Sequence, residues 1–172
     1  MKAVILVGPM VDEYEVIVPY SLFKAHDFEV DIASFEKEPV VGKRGVKLEL
    51  VPNKKFSELS SDDYDAVIIA GGYAPDKVRR DPNVKRFVKE MVEKGKLVLS
   101  ICHGGWVLIS AGVAKGRRIT GSQGIWDDLR NAGAEVVDEP VVIDGNVVSV
   151  KTWREFPDLI KRMPEILKIA KG

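Results

Sequence analysis

The chain has one cysteine and two histidines in 172 residues, and no run of apolar residues long enough to cross a bilayer. A single cysteine, Cys102, excludes an internal disulfide and fits a reducing compartment, so a cytoplasmic location is expected. A membrane span needs roughly 20 consecutive apolar residues, which no segment approaches. The apolar start, Met1–Val7, meets Gly8-Pro9 too soon to be the core of a secretory signal and reads as a first strand. Charge of one sign is also lacking. Twenty-six basic residues balance 26 acidic ones without a long like-charge block, which argues against nucleic acid or an anionic membrane as partner. Nothing in the sequence calls for a metal or a cofactor.

What is present is a regular alternation of buried-strand and amphipathic-helix patterns, long enough for one domain over 1–172 with a core of its own. Ala3–Val7, Phe28–Phe35 and Ala66–Ala70 read as strands. Asp12 and Glu15 have the spacing of a capping box for a helix running to about Lys24, with a kink near Pro19. Val40–Val51, with Gly42 and Gly45 inside it, reads as a small hairpin, and Ser57–Tyr64 as a short acidic helix or loop. Pro82–Glu93 places Val84, Phe87, Val88 and Met91 on one helical face and closes at Gly95. A short helix over Ile125–Asn131 is followed by short strands at Glu135–Val137, Val141–Ile143 and Val147–Val150, and a last helix covers Phe156–Ala170. Asp144-Gly145-Asn146 is the hairpin turn between the last two strands. The pattern predicts an open, mostly parallel sheet with helices on both faces, its site beyond the carboxyl ends of the strands.

The apolar run Leu97–Ile101 stops at Cys102, and helical spacing resumes after Gly104 and Gly105. Strand, sharp turn and helix with a cysteine at the apex is the pattern of a nucleophile elbow. The helix N-terminus there should favour thiolate over thiol. His26 falls at the far end of the first helix, so a histidine assisting the cysteine must be His103. The absence of any histidine after His103 excludes the glutamine amidotransferases, which take theirs from far downstream. Glu15 is either half of the capping box or a carboxyl group beside the sulfur, raised in pKa by burial. Gly71-Gly72 and Gly104 suit an oxyanion pocket, because glycine lets backbone N–H groups come close to a substrate oxygen.

Val67–Pro75 (VIIAGGYAP), Ser100–Gly104 (SICHG) and Gly124–Asp128 (GIWDD) together resemble the ThiJ/PfpI superfamily, most of all the PfpI-type intracellular proteases. The resemblance runs from Met1 to about Leu167. It implies a flavodoxin-like three-layer α/β sandwich, a nucleophile at Cys102, a base at His103 and a supporting Glu15. It also implies that Asp76 reaches the histidine from a neighbouring subunit, in a homodimer or a hexamer built from dimers. The chain departs from the family pattern at Asp76, where Glu is usual, at Gly105-Trp106, at Pro9-Met10 and at Thr152-Trp153. The leading expectation is a cysteine peptidase in which Cys102 attacks a peptide carbonyl, Gly72 and Gly104 hold the oxyanion and His103 protonates the leaving amine. The alternative is a glyoxalase or deglycase acting on small 2-oxoaldehydes, favoured if Trp106 and Trp153 narrow the pocket. A third reading, outside enzymes, is a redox-sensing stress chaperone in which Glu15 stabilises an oxidised Cys102.

Overall fold

The computed structural model describes all residues 1–172. Seven strands form the main sheet: β1 (Lys2–Leu6), β2 (Glu29–Ser34), β3 (Lys54–Lys55), β4 (Ala66–Ile69), β5 (Leu97–Ile101), β8 (Val141–Asp144) and β9 (Val147–Val150). Their order is β3-β2-β1-β4-β5-β9-β8, and every pairing is parallel except β8 with β9. The two-residue strands β6 (Arg118–Ile119) and β7 (Glu135–Val136) pair separately. The helices are α1 (Tyr14–Ala25), α2 (Ala74–Val78), α3 (Pro82–Glu93), α4 (Gly105–Ser110), α5 (Trp126–Asn131) and α6 (Phe156–Lys171).

The central strands are apolar on both faces because both faces are covered. Ala3 to Ile5, Ala66 to Ile68 and Leu97 to Leu99 have no measurable exposure. Ile5 pairs with both Ile32 and Ile68, and Leu99 with Ile68 and Val148, so branched side chains run across the middle of the sheet. From β1 the chain moves to β2 on one side and later to β4 and β5 on the other. Right-handed crossovers then put α1 on one face and α3 on the opposite one, giving the three layers. The reversal of direction lies between β1 and β4, and loops that leave the sheet there part to open a crevice. No helix is long and apolar enough to cross a membrane.

Several local expectations are corrected. The first helix begins at Tyr14 and there is no capping box. Asp12 accepts the Tyr14 N–H at 3.0 Å, while the Glu15 side chain turns away into the core. The 40–51 segment has hairpin bonds (Gly42 N–H to Val46 O and Leu48 N–H to Val40 O, both 2.9 Å) but no regular strand. The segment at 57–64 is two separate 3-10 turns, and the short helix α2, which the sequence pattern does not announce, follows Gly72. The strand expected at 135–137 forms, but in the small second sheet rather than the main one.

Candidate active site

Strand β5 ends at Ile101 in extended conformation, and Cys102 then adopts φ +57°, in the left-handed region. For a residue with a β-carbon this is a strained position, and strain of this kind is held by surrounding structure at functional sites. The sharp turn brings the sulfur to 3.2 Å from Nδ1 of the adjacent His103, a contact a regular helix would not allow. The loop after β6 braces the elbow: Ser122 N–H donates to Cys102 O at 3.2 Å.

Glu15 comes to the same place from α1. It is fully buried, and its Oε2 accepts the Gly71 N–H at 2.6 Å. Oε1 has no hydrogen-bonding partner. Gly71 must be glycine, since a β-carbon there would lie 2.4 Å from Glu15 Oε2 and 2.9 Å from the Cys102 β-carbon. Burial pushes the Glu15 carboxyl up to about 8, with the Asp12 charge adding to it and the Gly71 bond opposing. Glu15 is therefore mostly protonated at neutral pH.

Burial also pushes the Cys102 thiol up, to about 12, ahead of the effect of a charged Glu15; the His103 backbone N–H and Lys43 act against it. This corrects the expected low thiol pKa. Cys102 opens a 3-10 turn ahead of α4 and is only 9% exposed, so loss of water is the largest influence on its thiol. With Glu15 protonated, the part due to its charge vanishes and desolvation remains. The sulfur thus relies on a base for its proton, and His103 suits that role. Desolvation, and then Lys43, lower its pKa, which keeps the imidazole neutral.

Cys102 and His103 open into a cavity of about 280 Å³. Gly72 and Tyr73 from the β4 loop, Lys43 from the 40–51 segment, Ser122, and Thr152, Trp153 and Arg154 after β9 complete its wall. Gly72 has φ +76° and forms a bridge with Val11 that uses the N–H groups of Asp12 and Tyr73, leaving its own for the cavity.

The other expected residues lie elsewhere. Gly104 is packed under the elbow, where a β-carbon would be 2.7 Å from Ile69 O, and does not line the cavity. Trp106 does not narrow it either. Its ring stands edge-on to His103 at 5.1 Å, and its Nε1–H donates to Asp128 at 2.8 Å. Trp153 does line it. Asp76 sits on α2, half exposed and paired with Arg80 at 2.6 Å, and no bond within the chain joins it to His103. Lys43, Ser122 and Arg154 are residues that sequence reasoning misses, whereas Thr152, a departure from the family pattern, does line the cavity.

A cysteine elbow beside a neutral histidine and a protonated glutamate, at the switch point of a parallel sheet, defines a thiol-dependent carbonyl chemistry. The DJ-1/PfpI family model matches residues 1–166. The chain belongs to the DJ-1/PfpI family. It is 43% identical over 173 residues to Deglycase PfpI of Pyrococcus furiosus, covering 99% of this chain and all of that one. It is 36% identical over 168 residues, 97% of this chain and 98% of the other, to YraA of Bacillus subtilis strain 168, which is named only provisionally as a cysteine protease. Among solved structures it superposes with TM-score 0.91 and 37% identity on a two-domain Anabaena variabilis protein containing DJ-1/ThiJ/PfpI-like and ferritin-like domains. That match covers 97% of this chain and 48% of the other. The expected fold, family and cysteine-dependent enzyme class stand. The peptidase reading has weaker support among these names than the deglycase reading.

Proposed function

We infer that the protein is a cysteine-dependent deglycase acting on early adducts of 2-oxoaldehydes with amines or thiols. The carrying observation is the cavity itself. Its volume of about 280 Å³, with Cys102, His103 and Trp153 in its wall, accommodates a small carbonyl adduct. The name of the Pyrococcus furiosus relative supports the same reading.

The chemistry follows from the groups present. His103 Nδ1 takes the thiol proton as Cys102 Sγ attacks the carbinol carbon of the adduct. The C–N bond breaks, and protonated Glu15 supplies the proton for the leaving amine. The fragment is now a hemithioacetal on the sulfur. Glu15, left as carboxylate, removes the carbinol C–H proton and returns it to the adjacent carbonyl carbon. This internal transfer oxidises the first carbon and reduces the second, leaving a thioester without an external oxidant. Water then releases a 2-hydroxy acid and the thiol. A carboxyl group held at about 8 is suited to giving and taking a proton near neutrality. In this reading the Gly72 N–H, which has no partner within the backbone, donates to the developing oxyanion.

Association of copies belongs to this reading. His103 has no acid partner in its own chain, and Asp76, half exposed on α2, is open to a neighbour. Ile17 on α1 and Val46, which share a surface cavity with Tyr20, Leu48 and Leu50, are 44% and 53% exposed and offer an apolar face for a second copy. The test is a side-by-side assay of methylglyoxal-treated N-acetyl-lysine and a fluorogenic peptide, with Cys102→Ala as control. Lactate release that disappears in the variant, with peptide cleavage at least ~100-fold slower, is expected. Cys102-dependent peptide cleavage with the adduct untouched overturns the proposal.

A further inference from the structure

Two of the nine residues lining the Cys102 cavity are cations, Lys43 and Arg154, and none is an acid. They approach from different segments of the chain, one before β4 and one after β9. Lys43 is held in place. Its N–H donates to Val11 O at 2.9 Å, and its Nζ lies 2.8 Å from Asp12 Oδ2. Gly42 beside it has no room for a β-carbon, which would collide with the Glu13 side chain. Asp12 and Glu13 are both buried and both also bond Arg44, so the lysine is not their sole counter-ion. Arg154 rests on the face of Trp153 at 4.6 Å rather than on a carboxylate. Of the two carboxyl groups behind the sulfur, Glu15 is mostly neutral at pH 7, and Asp12 is shared between Lys43 and Arg44. A cleft lined by charge of one sign concentrates ligands of the other.

We propose that Lys43 and Arg154 form an anion-accepting subsite, so that the cavity selects carbonyl substrates bearing a carboxylate on the carbon chain next to the reacting centre. This rests on the cavity being the substrate site, as the deglycase reading holds, and adds the charge of the substrate to it. A neutral fragment such as that from methylglyoxal would fit the cavity and leave the two cations unused.

Iodoacetate and iodoacetamide test this without turnover. In each the Cys102 sulfur displaces iodide from a CH₂ group, and the reagents differ in charge at nearly equal size. The ratio of their alkylation rates cancels the thiolate fraction, so it reports the subsite alone. The expected ratio of iodoacetate to iodoacetamide is about 10-fold above that of free cysteine at low salt. Lys43→Met should reduce it about fivefold and Arg154→Gln about twofold, with Lys43→Arg keeping most of it. Because Arg154 is exposed, its variant folds even if Lys43→Met does not. A wild-type ratio no higher than that of free cysteine, or one unchanged in both variants, overturns the subsite. A protein that keeps the ratio yet releases no 2-hydroxy acid from amine adducts of either methylglyoxal or a carboxylate-bearing 2-oxoaldehyde retains the subsite and loses the deglycase reading instead.

Discussion

Asp31 and Glu15 are both buried acids, 4% and 0% exposed, yet their surroundings treat them in opposite ways. Asp31 accepts Tyr64 O–H and Asn53 Nδ2–H, both at 2.7 Å, and pairs with Lys2 Nζ at 3.0 Å. Burial alone would push it up, but those three partners outweigh burial and hold the carboxyl below its usual range. Glu15 has one backbone N–H on Oε2 and nothing on Oε1. Burial therefore wins there, and the group keeps its proton to about pH 8. A charge is stable inside a protein when its oxygens are satisfied. The acid left unsatisfied is the one beside Cys102, where the proposed reaction calls for a movable proton.

The strongest way to break this contrast is Glu15→Gln, which keeps the shape and removes the titrating proton. We expect kcat on methylglyoxal adducts to fall about 10²- to 10³-fold, with circular dichroism unchanged. A fall of less than threefold would put Glu15 on the same footing as Asp31. The converse variant, Asp31→Ala, should cost about 3 kcal/mol in urea unfolding by stranding Lys2 and Asn53, with kcat within about twofold.

Stability against pH sharpens the difference. Glu15 is raised from about 4.5 to about 8 on folding, so its contribution is complete below 4.5 and is lost as pH rises toward 8. Asp31 is lowered below 3.8, so its contribution is present above that value and lost as pH falls through the folded pKa. A tenfold difference in proton affinity between the folded and unfolded chain corresponds to about 1.4 kcal/mol. Glu15→Gln should flatten the decline between pH 4.5 and 8 and leave the acid limb in place; an unchanged decline would mean another group causes it. Smallest is Tyr64→Phe, expected to lower stability by about 1 kcal/mol and to leave the rate of Cys102 alkylation as it was.

Features carried by neighbours in sequence are legible without the structure. The helix Pro82–Glu93 can be read with its bounds because Asp81 precedes a proline and the apolar residues fall on one face. The elbow can be read because an apolar strand, a cysteine and paired glycines follow one another directly. Glu15 is ambiguous for a physical reason. A carboxylate at that spacing can turn back to cap its helix, and what turns it inward is Gly71 N–H, 56 residues away.

The sequence by itself determined the alternation of strands and helices, the parallel architecture and the position of the cysteine elbow, since hydrophobic period and glycine placement act over a few residues. Tertiary structure alone decided the chemistry around the sulfur. The direction of Glu15, the raised thiol and the two cations of the cavity all depend on which distant segments meet beyond β1, β4 and β5. Burial and through-space charge set them, and neither is a property of any residue's own place in the chain.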